Sequence, residues 1–207
     1  MTGRQLNDRA LSFVESQLAC SELLGNLCTI VEDGGRVISC GIGGDEGIEA
    51  GLFLARLTLC DLADVSIEPG NHPDLPFDRV CVTTAEPVAA CMASQYAGWQ
   101  ISIGDFFAMG SGPMRAAYGG EELFKDIGHV EEATRIVGAL ETRQQPSAGV
   151  FDFIASKTNT EPQNITLAVA PTASTAGGIQ VVARSVETAL HKLHALGFDL
   201  SRVRSGS

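Results

Sequence analysis

The chain of 207 residues carries 14 basic against 25 acidic side chains, for a formal charge of −11. With 44% hydrophobic and 19% charged residues it can bury a core and is not a disordered tail. An acidic chain without a Lys/Arg cluster is repelled by nucleic acid and by anionic lipid, which excludes both as expected partners.

In chain order, residues 5–18 read as a helix. The scattered charges Arg4, Asp8, Arg9 and Glu15 leave no apolar stretch for a signal peptide. The longest charge-free runs, 87–104 and 162–183, are broken by Ser, Thr, Gln, Gly and Pro, so neither reads as a spanning helix and a soluble cytoplasmic protein is expected. Residues 27–31 and 36–40 flank Glu32-Asp-Gly-Gly35, a hairpin in which glycine is expected to supply the positive φ. The glycine-rich stretch 41–47 leads into a helix with apolar positions 48, 52, 55, 59 and 62. That stretch lacks the ending of a P-loop and the spacing of a dinucleotide site, so it reads first as a turn.

Residues 64–68 predict a short strand, 71–76 a loop interrupted by two prolines, and 80–84 a strand. Pro87 opens a helix through Tyr96, and 99–103 alternates as a strand. The run 106–115 reads as a strand-to-helix turn with Pro113 at the helix start, or as a cleft wall presenting Ser111 and Arg115. A strand (134–141), a helix (145–157), a strand (164–170) and a helix (179–196) follow. This last helix has apolar residues at 179, 182, 183, 186, 189, 190, 193 and 196, and Gly197 is placed to end it. The whole of 1–207 is therefore expected to be one α/β region of mixed sheets and packed helices, with no linker that marks an internal boundary. Six cysteines in the first half show no C-x-x-C spacing and are expected to be buried, reduced thiols.

The strongest chemical signal is the segment from Ala170 to Gly178 and the helix that follows it. Thr172, Ser174 and Thr175 supply hydroxyls at a helix start, where backbone N–H groups can meet a ligand. On a continuous helix Arg184, Glu187, His191 and His194 fall on one stripe. Arg184 and Glu187 are an i, i+3 ion pair, and a carboxylate beside a guanidinium can also serve water chemistry, with Glu187 taking the proton. Glu187, His191 and His194 share a face that a metal reading would use. That set differs from H-E-x-x-H and lacks a fourth ligand, so no metal is expected.

Ser94 to Trp99, Phe107 to Arg115, Ala170 to Ser174 continuing through Gln180 to Leu193, and Gly47 to Gly51 together resemble the methenyltetrahydromethanopterin cyclohydrolase family. The resemblance runs in order along nearly the whole chain. It implies a hydrolase of one-carbon metabolism, in methanogenesis or methylotrophy, that converts methenyl-tetrahydromethanopterin or its dephospho form to the formyl derivative. No cofactor is implied, the pterin being the substrate. It assigns Glu187 to water activation and Arg184 to positioning and tuning Glu187. Gln95, Ser111, Arg115, Thr172, Ser174 and Gln180 become candidates for lining the pterin pocket. It further implies a homo-oligomer, trimers being the usual form, and a two-domain architecture whose C-terminal part is missing from this chain. On that account the chain is either a working cyclohydrolase or a truncated, non-catalytic pterin-binding piece.

Overall fold

The structure, a computed structural model, describes residues 5–44, 47–70 and 76–207. Helix α1 (Leu6–Cys20) and the short α2 (Glu22–Asn26) precede a hairpin, β1 (Cys28–Ile30) and β2 (Arg36–Ser39), paired antiparallel as predicted. Its turn differs in detail. Asp33, not a glycine, takes the left-handed conformation at φ 55°, which a short polar side chain tolerates. Gly35 is needed for closeness instead: a Cβ there would lie 2.1 Å from the carbonyl oxygen of Ile165.

Helix α3 (Gly47–Thr58) leads to a separate two-stranded antiparallel sheet, β3 (Ala63–Glu68) with β4 (Arg79–Thr84). Of the predicted loop 71–76, residues 71–75 lie outside the described residues, as do 45 and 46 of the glycine-rich stretch. The predicted helix after Pro87 is wound as a π-helix (Val88–Gln95), in which the N–H of Tyr96 reaches back five residues to the carbonyl of Cys91 at 2.9 Å. Then follow β5 (Trp99–Ile103), β6 (Phe106–Ser111), α4 (Met114–Tyr118) and α5 (Leu123–Ile127). The last of these is too short to leave a periodic signal. The order closes with β7 (Ile136–Glu141), α6 (Ala148–Thr158), β8 (Ile165–Ala170), α7 (Thr175–Val182) and α8 (Ser185–Ala195).

Six strands make one mixed sheet in the order β1-β2-β8-β7-β6-β5, with β2, β8 and β7 parallel and the outer pairs antiparallel. Every residue of β8 is buried, which explains why it is apolar at every position but Thr166: a parallel strand between two helical layers has no solvent face. Alternation assigns the faces. Ile38, Val137, Ala139 and Ala168 pack with α1 and α3, whereas Val37, Ile136, Leu140 and Leu167 pack with Phe151 and Ile154 of α6. A further apolar cluster joins α3 and the small sheet to Ala90, Cys91 and Met92 of the π-helix and to Val186 and Leu190 of α8. Among the described residues no helix is long and apolar enough to cross a membrane.

The expectation for the last helix is corrected. It is two helices, broken at Ala183 (φ −65°, ψ −4°) and Arg184 (φ −88°, ψ 13°). The Nε2 of Gln95 donates to the carbonyl of Ala183 at 3.2 Å, diverting an acceptor that a continuous helix would use.

The thiols separate by environment. Cys40, Cys60 and Cys91 are buried as expected, Cys28 and Cys81 are half-buried, and Cys20 is exposed, against expectation. Burial pushes the Cys60 thiol up to about 12, with a hydrogen bond from its Sγ to Ser94 Oγ at 3.0 Å opposing that rise. Burial, and then the charge of Glu187, do the same for Cys91. A neutral, buried thiol is a poor nucleophile. With a disulfide-exchange reagent at pH 8, Cys20 is expected to react promptly and Cys60 and Cys91 only after unfolding. Peptide mapping of the labelled sites checks this, and prompt labelling of Cys60 in the folded chain contradicts it.

Candidate active site

The parallel strands β2, β8 and β7 end side by side, with Ser39 paired to Val169 and Glu141 to Ala170. The carboxyl ends of parallel strands are where open α/β sheets place ligands, because the chain leaves the sheet there and opens a crevice. From β8 the chain turns at Pro171 into α7. Ser174 caps that helix: its Oγ accepts from the N–H of Gly177 at 3.0 Å, and its hydroxyl donates to the carbonyl of Pro171 at 2.8 Å. A Cβ on Gly177 would lie 2.0 Å from that carbonyl oxygen, so only glycine lets the helix start this close to the strand end. A cavity of about 310 Å³ lies here, lined by Phe107, residues 141–144, Pro171 and Thr172.

Arg184 joins this cavity to the interior. Its Nη1 donates to Glu141 Oε1 at 3.0 Å, and its Nε donates to Glu187 Oε2 at 3.1 Å. Glu187 is 3% exposed, against 19% for Arg184 and 18% for Glu141. Burial pushes the Glu141 carboxyl above the usual carboxylate range; Arg184 pulls it back, and the charge of Glu187 adds to the rise.

The remaining sequence candidates divide. Gln95, Ser111 and Gln180 are buried, and among the described residues Gln95 Oε1, Ser111 Oγ and Gln180 Nε2 have no hydrogen-bond partner. They are linked: the N–H of Gly112 donates to the carbonyl of Ser94 at 2.8 Å, Gln95 bonds Ala183, and Gln180 stands one turn before that break. Each such buried polar atom costs about 1–3 kcal/mol while unpaired, a cost that a bound polar molecule recovers. Thr172 is exposed on the cavity wall, while the hydroxyl of Ser174 is committed to the cap.

Arg115 does not face a cleft. It is fully buried, its Nε and Nη2 donate to Glu121 at 2.8 and 2.7 Å, and its Nη1 donates to the carbonyl of Met92 at 2.8 Å. Its guanidinium also stands over the rings of Tyr96 and Phe124, 4.9 and 5.4 Å from their centroids. Every one of these partners is internal, so Arg115 ties α4 to the π-helix.

The helical stripe also breaks apart. His191 stacks on Tyr96 with ring centroids 4.8 Å apart, and His194 Nε2 lies 2.9 Å from Asp126 Oδ2, so neither converges with Glu187. Among the described residues no group of three His, Cys, Asp or Glu is arranged to hold a metal. A larger cavity, about 650 Å³, runs past Asp126, His129, His194 and Phe198; Arg184 and Glu187 line neither cavity, and it is Glu141 on the wall of the smaller one that Arg184 reaches. Sequence reasoning missed Glu141. A signal was present, since an acidic residue closes the predicted strand 134–141, but its partner is 43 residues away.

A family model described as "Cyclohydrolase (MCH)" matches residues 5–207. The chain is 42% identical to a methenyltetrahydromethanopterin cyclohydrolase of Methanosarcina barkeri and 39% identical to one of Methanococcoides burtonii. Each of these matches covers 97% of this chain and 63% of the relative. It is 46% identical to a protein of the same name from Rhodopirellula baltica, over 83% of this chain and 53% of that protein. The chain thus spans under two thirds of the length of these curated relatives.

Proposed function

The chain belongs to the methenyltetrahydromethanopterin cyclohydrolase family, and from that premise we propose that it hydrolyses methenyl-tetrahydromethanopterin, or the dephospho form, reversibly to the formyl derivative. The observation that carries this reading is the buried carboxylate of Glu187 held at 3.1 Å by an arginine that also reaches the cavity wall. The methenyl carbon bridges two nitrogens and bears their shared positive charge, so the reading includes no metal or cofactor. What the reaction needs is a positioned water and a base.

In the proposed sequence Glu187 accepts one proton from water as the oxygen bonds to the methenyl carbon. One carbon–nitrogen bond of the tetrahedral intermediate then breaks, the departing nitrogen takes that proton back from Glu187, and the second water proton leaves to solvent as the carbonyl forms. One cation and one water thus give a neutral formyl compound and a proton. Arg184 positions and tunes Glu187. The unpaired polar atoms of Gln95, Ser111 and Gln180 supply hydrogen bonds to water or pterin, and Thr172 contacts the pterin at the cavity wall. A homo-oligomer, as a trimer, is part of the same proposal.

The test is the decay of methenyl-pterin absorbance with and without the 207-residue protein. A rate above the spontaneous hydrolysis supports the proposal. Because the chain covers 63% of its archaeal relatives, a second reading, a pterin-binding piece without turnover, is the alternative outcome. Binding by folded protein without added rate selects it.

A further inference from the structure

Resting on the cyclohydrolase reading, we propose that Glu141 is a positioning residue of the reaction: from the cavity wall it holds the guanidinium of Arg184 in the orientation that fixes Glu187. The two bonds of Arg184 differ in kind. The bond to Glu187 is local, from the residue that precedes α8 to one in its first turn, and by itself leaves the guanidinium free to swing about one oxygen. The bond to Glu141 comes from the sheet, 43 residues away.

That second anchor is rigid. Residues 136–140 of β7 are all buried, and Glu141 itself is paired to Met109 on one side and to Ala170 on the other. Arg184 needs such an anchor because it sits at the break between α7 and α8, where no helix on either side continues through it. A planar fork held at Nε and at Nη1 by carboxylates from two elements has its plane determined, which a single contact cannot do.

Its charge setting also argues for a role beyond bracing. Glu141 is four-fifths buried with a second carboxylate on the same guanidinium, so removing it changes the charge around Glu187 as well as the hold on Arg184. Arg184, just before α8, and Glu187, in its first turn, face it, and Arg143, two residues on, lines the same cavity. Removing Glu141 leaves Arg184 and Glu187 as a simple pair whose guanidinium can turn away from the reacting water.

Two readouts on the 207-residue protein test this. The first is the Arg184 Nε–H signal in a 1H–15N correlation spectrum, assigned by its loss in Arg184→Lys. In Glu141→Ala it is expected to collapse to the averaged position of exposed arginines. The second is turnover. kcat is expected to fall about 10-fold in Glu141→Gln and about 100-fold in Glu141→Ala, the scale of a misplaced catalytic group, with KM within about threefold and partial rescue in Glu141→Asp. Thermal melts confirm the fold, and if Glu141→Ala does not fold, Glu141→Leu, which keeps the bulk and offers no acceptor, carries both readouts.

An unmoved Arg184 signal in a folded variant that lacks an acceptor at 141, or a kcat equal to that of the parent, overturns the proposal. If the parent chain itself gives no rate above background, the catalytic reading fails for this chain. The Arg184 signal then decides the positioning role alone, on the same two results.

Discussion

Glu187→Gln is expected to lower the rate of methenyl hydrolysis by about 10²- to 10⁴-fold, the range over which a positioned general base contributes. Glutamine keeps the shape of the side chain, and its amide oxygen can still accept from Arg184 Nε, but it cannot take a proton from water. The fold is expected to survive. Arg184 retains Glu141 as its counter-ion at 3.0 Å, so the substitution strands no buried charge. Rates are compared after subtracting spontaneous hydrolysis, with thermal melts of both proteins alongside. A Glu187→Gln protein within twofold of the parent rate would falsify the assignment of Glu187 as the base. Loss of rate together with loss of fold would be settled by Glu187→Asp, which keeps the charge on a shorter arm and is expected to retain intermediate activity.

Arg115→Met is expected to act on stability instead, by about 3–5 kcal/mol, the scale of breaking a buried ion pair from one side. It strands Glu121, whose side chain is 15% exposed, and removes the donor to the Met92 carbonyl. For a chain of this size each kcal/mol shifts the melting temperature by roughly 2–4 °C, so a drop of about 6–20 °C is anticipated. The double variant Arg115→Met with Glu121→Met should recover a good part of it, because an apolar pair in place of a buried ion pair is often neutral. A weakened substrate affinity with an unchanged melting temperature would return Arg115 to the binding pocket and refute the structural assignment.

The contrast between these arginines shows where sequence reasoning stops. Both stand in segments that resemble one family, and both look equally available for binding. Arg184 sits between α7 and α8, beside the Ala183 carbonyl that Gln95 binds, with partners at the cavity and beneath it. Arg115 is enclosed by Met92, Tyr96, Glu121 and Phe124, which gather around it only once the π-helix and α5 are packed. The unpaired atoms of Gln95, Ser111 and Gln180 were equally invisible, because an unsatisfied buried polar atom is a property of the folded interior.

What the sequence determined by itself was local. Alternation located β5, the alternating order of strand and helix segments placed β7 and β8, and turn residues marked the hairpin between β1 and β2. The Arg184–Glu187 pair was readable for the same reason, since a separation of three residues at a helix start brings those side chains together. Tertiary structure alone decided the break at Ala183, whose carbonyl accepts from a glutamine 88 residues earlier, and the capture of Arg184 by Glu141, 43 residues away. Contacts at such separations are produced by the stacking of sheet and helices, and no pattern within a single element encodes them.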